Sequence, residues 1–116
     1  MDKKRKTSKT KPKDSYVYVI DLDEAILENN KFMDANPGYD EQKRCLYVGM
    51  TGRTPDIRFQ QHKDGYKAAR FVRKYGRYLR RRLYGNYNPM TREDAVKMEV
   101  ELAIKLRKRG NAVWQN

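Results

Sequence analysis

A chain of 116 residues with 38% hydrophobic content suits one domain with a compact core and leaves little room for a second. Its 27 lysines and arginines against 15 acidic residues leave +12, which favours a polyanionic partner, nucleic acid first, because each phosphate contact releases counterions. A single cysteine, Cys45, excludes an internal disulfide and a cysteine-rich zinc site and fits a cytoplasmic setting (nucleoid-associated if bacterial); no apolar run approaches the roughly 20 residues of a bilayer span or follows the basic start, so neither membrane contact nor a secretory leader is expected.

Beyond Met1, residues 1–14 (MDKKRKTSKTKPKD) carry no large apolar side chain. They read as a disordered basic arm able to meet phosphates without folding, and 15–116 as the folded domain. Tyr16 to Leu22 (YVYVIDL) is aromatic and β-branched and predicts a strand. Asp23 can cap a helix running to about Met33, which Asn36-Pro37-Gly38 ends. The segment 23–41 is the acidic part of the chain. Cys45 to Val48 predicts a second strand closed by Gly49, antiparallel to the first. Thr54-Pro55-Asp56 is a strong helix start, with a hydroxyl cap, proline at the first position and an acid in the first turn. That helix should run to about Lys63, and another from Tyr66 to Tyr75. Residues 77–90 look irregular. Thr91, with Asp94 three residues on, opens a last helix that Gly110 stops, and Asn111 to Trp114 reads as a final strand.

On the last helix, Ala95, Met98, Leu102, Ala103 and Leu106 line one face. Glu99 lies inside that stripe, although burying an ionised carboxylate is costly unless something pairs with it. Three readings are open: a salt bridge with an arginine, a stripe edge reaching water, or a metal ligand or acid–base group at the rim of the core. Arg58 and His62, the one histidine, are four apart and share a helix face. An exposed arginine and a satisfied histidine are the plain reading. The chemical one is a guanidinium fork that holds a phosphate beside an imidazole that can move a proton. Lys63, Lys67, Arg70, Arg73, Lys74 and Arg77, with Arg53 before them, are interleaved with Tyr66, Phe71, Tyr75 and Tyr78. Such a stretch can track a backbone while aromatics pack or stack.

The order Tyr16-Val17-Tyr18, then Tyr47-Val48-Gly49, then Arg58 with His62, then Ala95-x-x-x-Glu99 resembles the GIY-YIG nuclease family over about residues 16–116. LYVGMTGRTPDIRFQQHKDG is most similar to small, stand-alone bacterial or phage members. The resemblance implies an α/β (α+β) fold, a three-stranded antiparallel sheet flanked by helices. It also implies metal-dependent endonuclease activity on nucleic acid, with DNA the expected partner, using one divalent cation, Mg²⁺ or Mn²⁺. Tyr18, Tyr47, Arg58, His62 and Glu99 match the family's site, with Glu99 as the metal ligand and Gly49 as the close-approach glycine. Tyr18 or Tyr47 is the candidate base, and the sequence does not choose between them. Two features depart from the pattern: Tyr16 stands where glycine is usual, and the acidic segment between the motifs is long. The alternatives are a basic nucleic-acid-binding module on the same fold without cleavage and a small structural RNA-binding protein; neither needs Glu99 in an apolar stripe.

Overall fold

The computed structural model describes residues 11–115. The basic arm predicted over 1–14 lies outside them up to residue 10, and 11–14 form no helix or strand. Strand β1 (Tyr16–Leu22) pairs antiparallel with β2 (Cys45–Thr51), Tyr18 facing Gly49 and Ile20 facing Tyr47. Between them run a 3-10 turn (Glu24–Glu28) and a short helix α1 (Asn30–Asp34). Helices α2 (Pro55–Asp64) and α3 (Arg70–Tyr75) follow, then β3 (Gly76–Leu79), the long α4 (Arg92–Lys108) and β4 (Ala112–Gln115).

The sheet has four strands in the order β3-β1-β2-β4, and it is mixed. This corrects the expected three-stranded antiparallel sheet in two respects. Gly76–Leu79, read from sequence as the start of an irregular stretch, is an antiparallel edge strand on β1. The final strand runs parallel to β2, because α4 carries the chain back across the sheet before β4 begins. β1 and β2 are buried on both faces, which explains their nearly continuous apolar sequences. One face carries Tyr18, Ile20, Leu22, Cys45, Tyr47 and Trp114, with α2 and α3 over it. The other carries Val17, Val19, Leu46, Val48 and Val113, and α4 packs along β1, β2 and β4 with Ala95, Leu102, Ala103 and Leu106 buried.

The helix signals hold locally. The Thr54 hydroxyl accepts from the Ile57 N–H, and Gly65 ends α2 at φ 88°. The Thr91 hydroxyl accepts from the Asp94 N–H, and Gly110 follows α4 at φ 98°. The helix expected over 23–33 is instead two short pieces. Asn29 leaves the helical region (φ −85°, ψ 117°) and caps the second piece through its side chain on the Phe32 N–H. α3 starts at Arg70 rather than Tyr66, because Lys67 takes a left-handed conformation (φ 44°) that no α-helix accommodates.

The acidic segment packs as an extra layer, with Ile26 and Phe32 fully buried. Asn36, 3% exposed, fastens it to β4. The Asn36 amide donates to the Phe32 and Val113 carbonyls (2.9 and 3.0 Å), and its oxygen accepts from the Val113 N–H (2.8 Å) and Arg107 Nε (3.0 Å). Asn36→Ala would leave these buried groups unpaired, so a loss of about 3 kcal/mol is expected in urea unfolding. Asp21, 2% exposed, is a second buried polar anchor, paired with Arg80 (3.2 Å) and Arg77 (3.5 Å). Among the described residues no helix is long and apolar enough to cross a membrane.

Candidate active site

Register brings the two motif tyrosines and the motif glycine to one place. Tyr18 on β1 sits opposite Gly49 on β2, and Tyr47 lies two residues before that glycine on the same face. A Cβ on Gly49 would come within 2.6 Å of the Tyr18 Cζ and hydroxyl and 2.9 Å of Tyr47 Cε2. The tyrosine rings therefore rest where only glycine leaves room.

His62 on α2 lies above both rings, at centroid distances of 6.0 Å from Tyr18 and 5.8 Å from Tyr47. Its Nε2 is 2.9 Å from the Tyr18 hydroxyl, and its Nδ1 is 3.1 Å from the Ala69 backbone nitrogen. The Ala69 N–H can only donate, so Nδ1 must be the unprotonated nitrogen. The neutral ring then carries its proton on Nε2 and donates it to Tyr18. Burial and the nearby Arg58 guanidinium hold the His62 pKa at about 4, well below its ordinary 6.5. His62 is thus neutral at pH 7, and the unfolded chain binds a proton that the folded one refuses. Stability contributed by His62 is complete above pH 6.5 and drains away as pH falls towards 4, by on the order of 3 kcal/mol. Wild-type Tm should drop more steeply than that of His62→Gln over this window.

Arg58, one turn before His62, donates from Nη1 to Gln61 (3.2 Å) and to the Tyr66 carbonyl (3.1 Å), and from Nη2 to the Lys67 carbonyl (2.7 Å). These contacts use three of its five N–H donors, and the guanidinium also lies close enough to Tyr18 to favour its ionised form. Burial raises the Tyr18 phenol to about 12, against the opposing pull of Arg58 and Tyr47. Burial raises Tyr47 further still, and the adjacent Tyr18 and Glu99 push in the same direction. Of the two tyrosines, Tyr18 is the one that the His62 ring contacts through its hydroxyl.

Glu99 comes from the opposite side. The pairing of β4 with β2 is described as far as Val48 facing Gln115, one residue before Gly49. Glu99 on α4 lies beside Gln115, and its charge is felt by both phenols. It is 8% exposed, and burial raises its pKa above the usual carboxylate range while Gln115 favours the ionised form. Among the described residues it makes no salt bridge, so the arginine pairing weighed from sequence is not found there.

Among the described residues no group of three or more His, Cys, Asp or Glu side chains could hold a metal. A single carboxylate does not make a zinc site, but it suits a hard cation that keeps most of its water, as Mg²⁺ does, or Mn²⁺.

The cationic residues divide. Arg70, Arg73 and Lys74 are exposed and line one concavity with Gly65 and Ala68. Arg53 is exposed on the loop before α2, and the Lys67 ammonium stands 5.6 Å from the Tyr66 ring centre. Lys63 has internal work, donating to the Gly76 (2.8 Å) and Arg73 (3.3 Å) carbonyls at the end of α3. Arg77 pairs with Asp21. Sequence reasoning missed Ala69, which acts through its backbone N–H and has no side-chain signature. It also missed Gln115, whose only signal is a polar residue just past the apolar run of β4. No family model, curated protein or solved structure matches the chain.

Proposed function

We propose that the protein is a metal-dependent endonuclease of the GIY-YIG type that hydrolyses phosphodiester bonds in nucleic acid, DNA first. The observation that carries this reading is the grouping of Tyr18, Tyr47, Arg58 and His62 with a mostly buried Glu99 that makes no salt bridge among the described residues. A core gains nothing from that carboxylate, whereas a cation site requires one. Glu99 would hold one Mg²⁺ or Mn²⁺, which when bound supplies Lewis-acid charge at a phosphate. The Arg58 guanidinium would meet the non-bridging oxygens as negative charge builds on them. Tyr18 would take the proton from the attacking water. His62 Nε2–H and Arg58 stabilise the phenolate form that does so, and the resting phenol is protonated at neutral pH. The cleavage rate should therefore climb from about pH 7 to about pH 9 as the phenolate fraction rises.

The non-catalytic binding module is favoured by one observation. Tyr18 and Tyr47 are each 1% exposed, and burial holds both protonated. One experiment separates the two readings. Purified protein is incubated with supercoiled plasmid and with duplex, single-stranded and branched DNA and RNA, with Mg²⁺, Mn²⁺ or EDTA. Nicking or cutting that EDTA stops is expected. Salt-sensitive binding with no cleavage of any substrate under either metal would leave only the binding module.

A further inference from the structure

Beside the site lies a cavity of about 200 Å³ lined by Asn29, Lys31, Ala69, Arg70, Phe71 and Trp114. We infer that this cavity receives a single unpaired nucleotide of the bound strand, its base against Trp114 and its phosphate on Arg70. The inference rests on the nuclease reading above and names its substrate class: nucleic acid with an extruded or unpaired nucleotide next to the scissile bond.

Three observations converge. The first is chemical. Trp114 is half-buried, held edge-on by Phe71 at 4.9 Å, with the Lys31 ammonium 5.8 Å from its ring centre. The Asn29 side-chain oxygen accepts from the Phe32 N–H (3.0 Å), and its amide nitrogen adds two donors. Lys31 and Arg70 can only donate. An aromatic wall beside two cations and an amide suits a planar ring with polar edges that carries an anionic group, and a nucleotide is such a ligand. The second observation is size. The cavity lies below the roughly 300–1,000 Å³ typical of drug-sized ligands, so it suits one base and no larger group.

The third is placement. Trp114 on β4 is the register partner of Tyr47 on β2. The Ala69 that lines the cavity is the residue whose N–H fixes the His62 ring. Arg70 belongs both to this cavity and to the cationic concavity of Arg73 and Lys74. A strand tracking that concavity could thus lay one base aside at Arg70 while its backbone runs on to Tyr18. Asn29 and Lys31 come from the acidic segment between the two motifs, so that segment supplies part of the cavity wall.

Trp114 is the chain's one tryptophan, so its fluorescence reports on this cavity alone. The probes are a short DNA duplex with one central bulged adenosine, the same duplex fully paired, and free dAMP, all in EDTA so that nothing is cut. Anisotropy of a dye on the DNA reads total binding. The bulged duplex is expected to quench Trp114 at saturation and to bind about tenfold more tightly than the paired one. Lys31→Ala, at an exposed position outside the cationic concavity, should remove that preference while leaving paired-duplex affinity within about twofold, whereas Arg70→Ala should remove it and weaken both duplexes. Unchanged Trp114 emission with the bulged duplex bound would overturn the cavity assignment and leave the nuclease reading standing. So would equal affinity for the two duplexes, or quenching by dAMP but not by bulged DNA. Flat anisotropy with every DNA and with the same duplexes made of RNA would overturn both.

Discussion

Replacing Glu99 by glutamine is expected to lower metal-dependent cleavage at least about 1,000-fold while leaving DNA affinity within about twofold. Glutamine keeps the shape of the side chain and removes the charge that a divalent cation requires. The same change discriminates between roles. A carboxylate retained for a salt bridge would cost stability when neutralised. Burial already penalises the ionised form of Glu99, and no such bridge is present among the described residues. Thermal stability of Glu99→Gln at pH 7 should therefore equal or exceed that of the wild type, because the cost of desolvating the charge is gone. Loss of cleavage with a preserved or raised Tm marks a site kept for chemistry. Loss of both would mark a structural carboxylate and remove the support for a cation at this position.

Gly49→Ala should be nearly as damaging through a purely steric route. The added methyl would lie 2.6 Å from the Tyr18 ring and hydroxyl and 2.9 Å from Tyr47, closer than side chains tolerate. Neither strand can yield, because β2 is held between β1 and β4, so the two rings must swing away. Overpacking of this kind costs about 1–3 kcal/mol, which urea unfolding would register. The larger effect is functional. The Tyr18 hydroxyl would leave the 2.9 Å contact with His62, and a displacement of about 1 Å at a reacting group commonly costs about 100-fold in rate. A cleavage rate unchanged in a well-folded Gly49→Ala protein would show that the tyrosine positions do not matter.

The parts of this fold that were legible in the sequence are those that local chemistry decides. Tyr16–Leu22 and Cys45–Val48 are apolar enough to need burial on both faces. Thr54-Pro55 and Thr91 announce helices that would start there in almost any context. What was not legible depends on distant partners. Gly76–Leu79 has two residues, Arg77 and Tyr78, that face water, and it becomes a strand only because β1 offers it an open edge. The direction of β4 follows from how far α4 carries the chain, which four residues do not encode. The same division runs through the site. The candidate residues Tyr18, Tyr47, Arg58, His62 and Glu99 were singled out by their order along the chain, and the fold places Tyr18, Tyr47 and His62 in contact. The protonation state of His62 was not, because it is fixed by a backbone N–H seven residues away. The lysine and arginine run looked uniform, yet Lys63 spends its charge on the end of α3 and Arg77 on Asp21.

Asn36 carries one more consequence. β4 is the outermost strand on its side of the sheet, and Asn36 offers Val113 both a donor and an acceptor, as a neighbouring strand would. A bare strand edge is a template on which another chain can add, the usual start of ordered aggregation. One side-chain amide, presented by the acidic segment, occupies the pairing position at the middle of that edge. The long connection between the two motifs is thereby a guard of that strand edge as much as an ornament of the fold, and shortening it would expose a surface on which copies of the chain could begin to zip together.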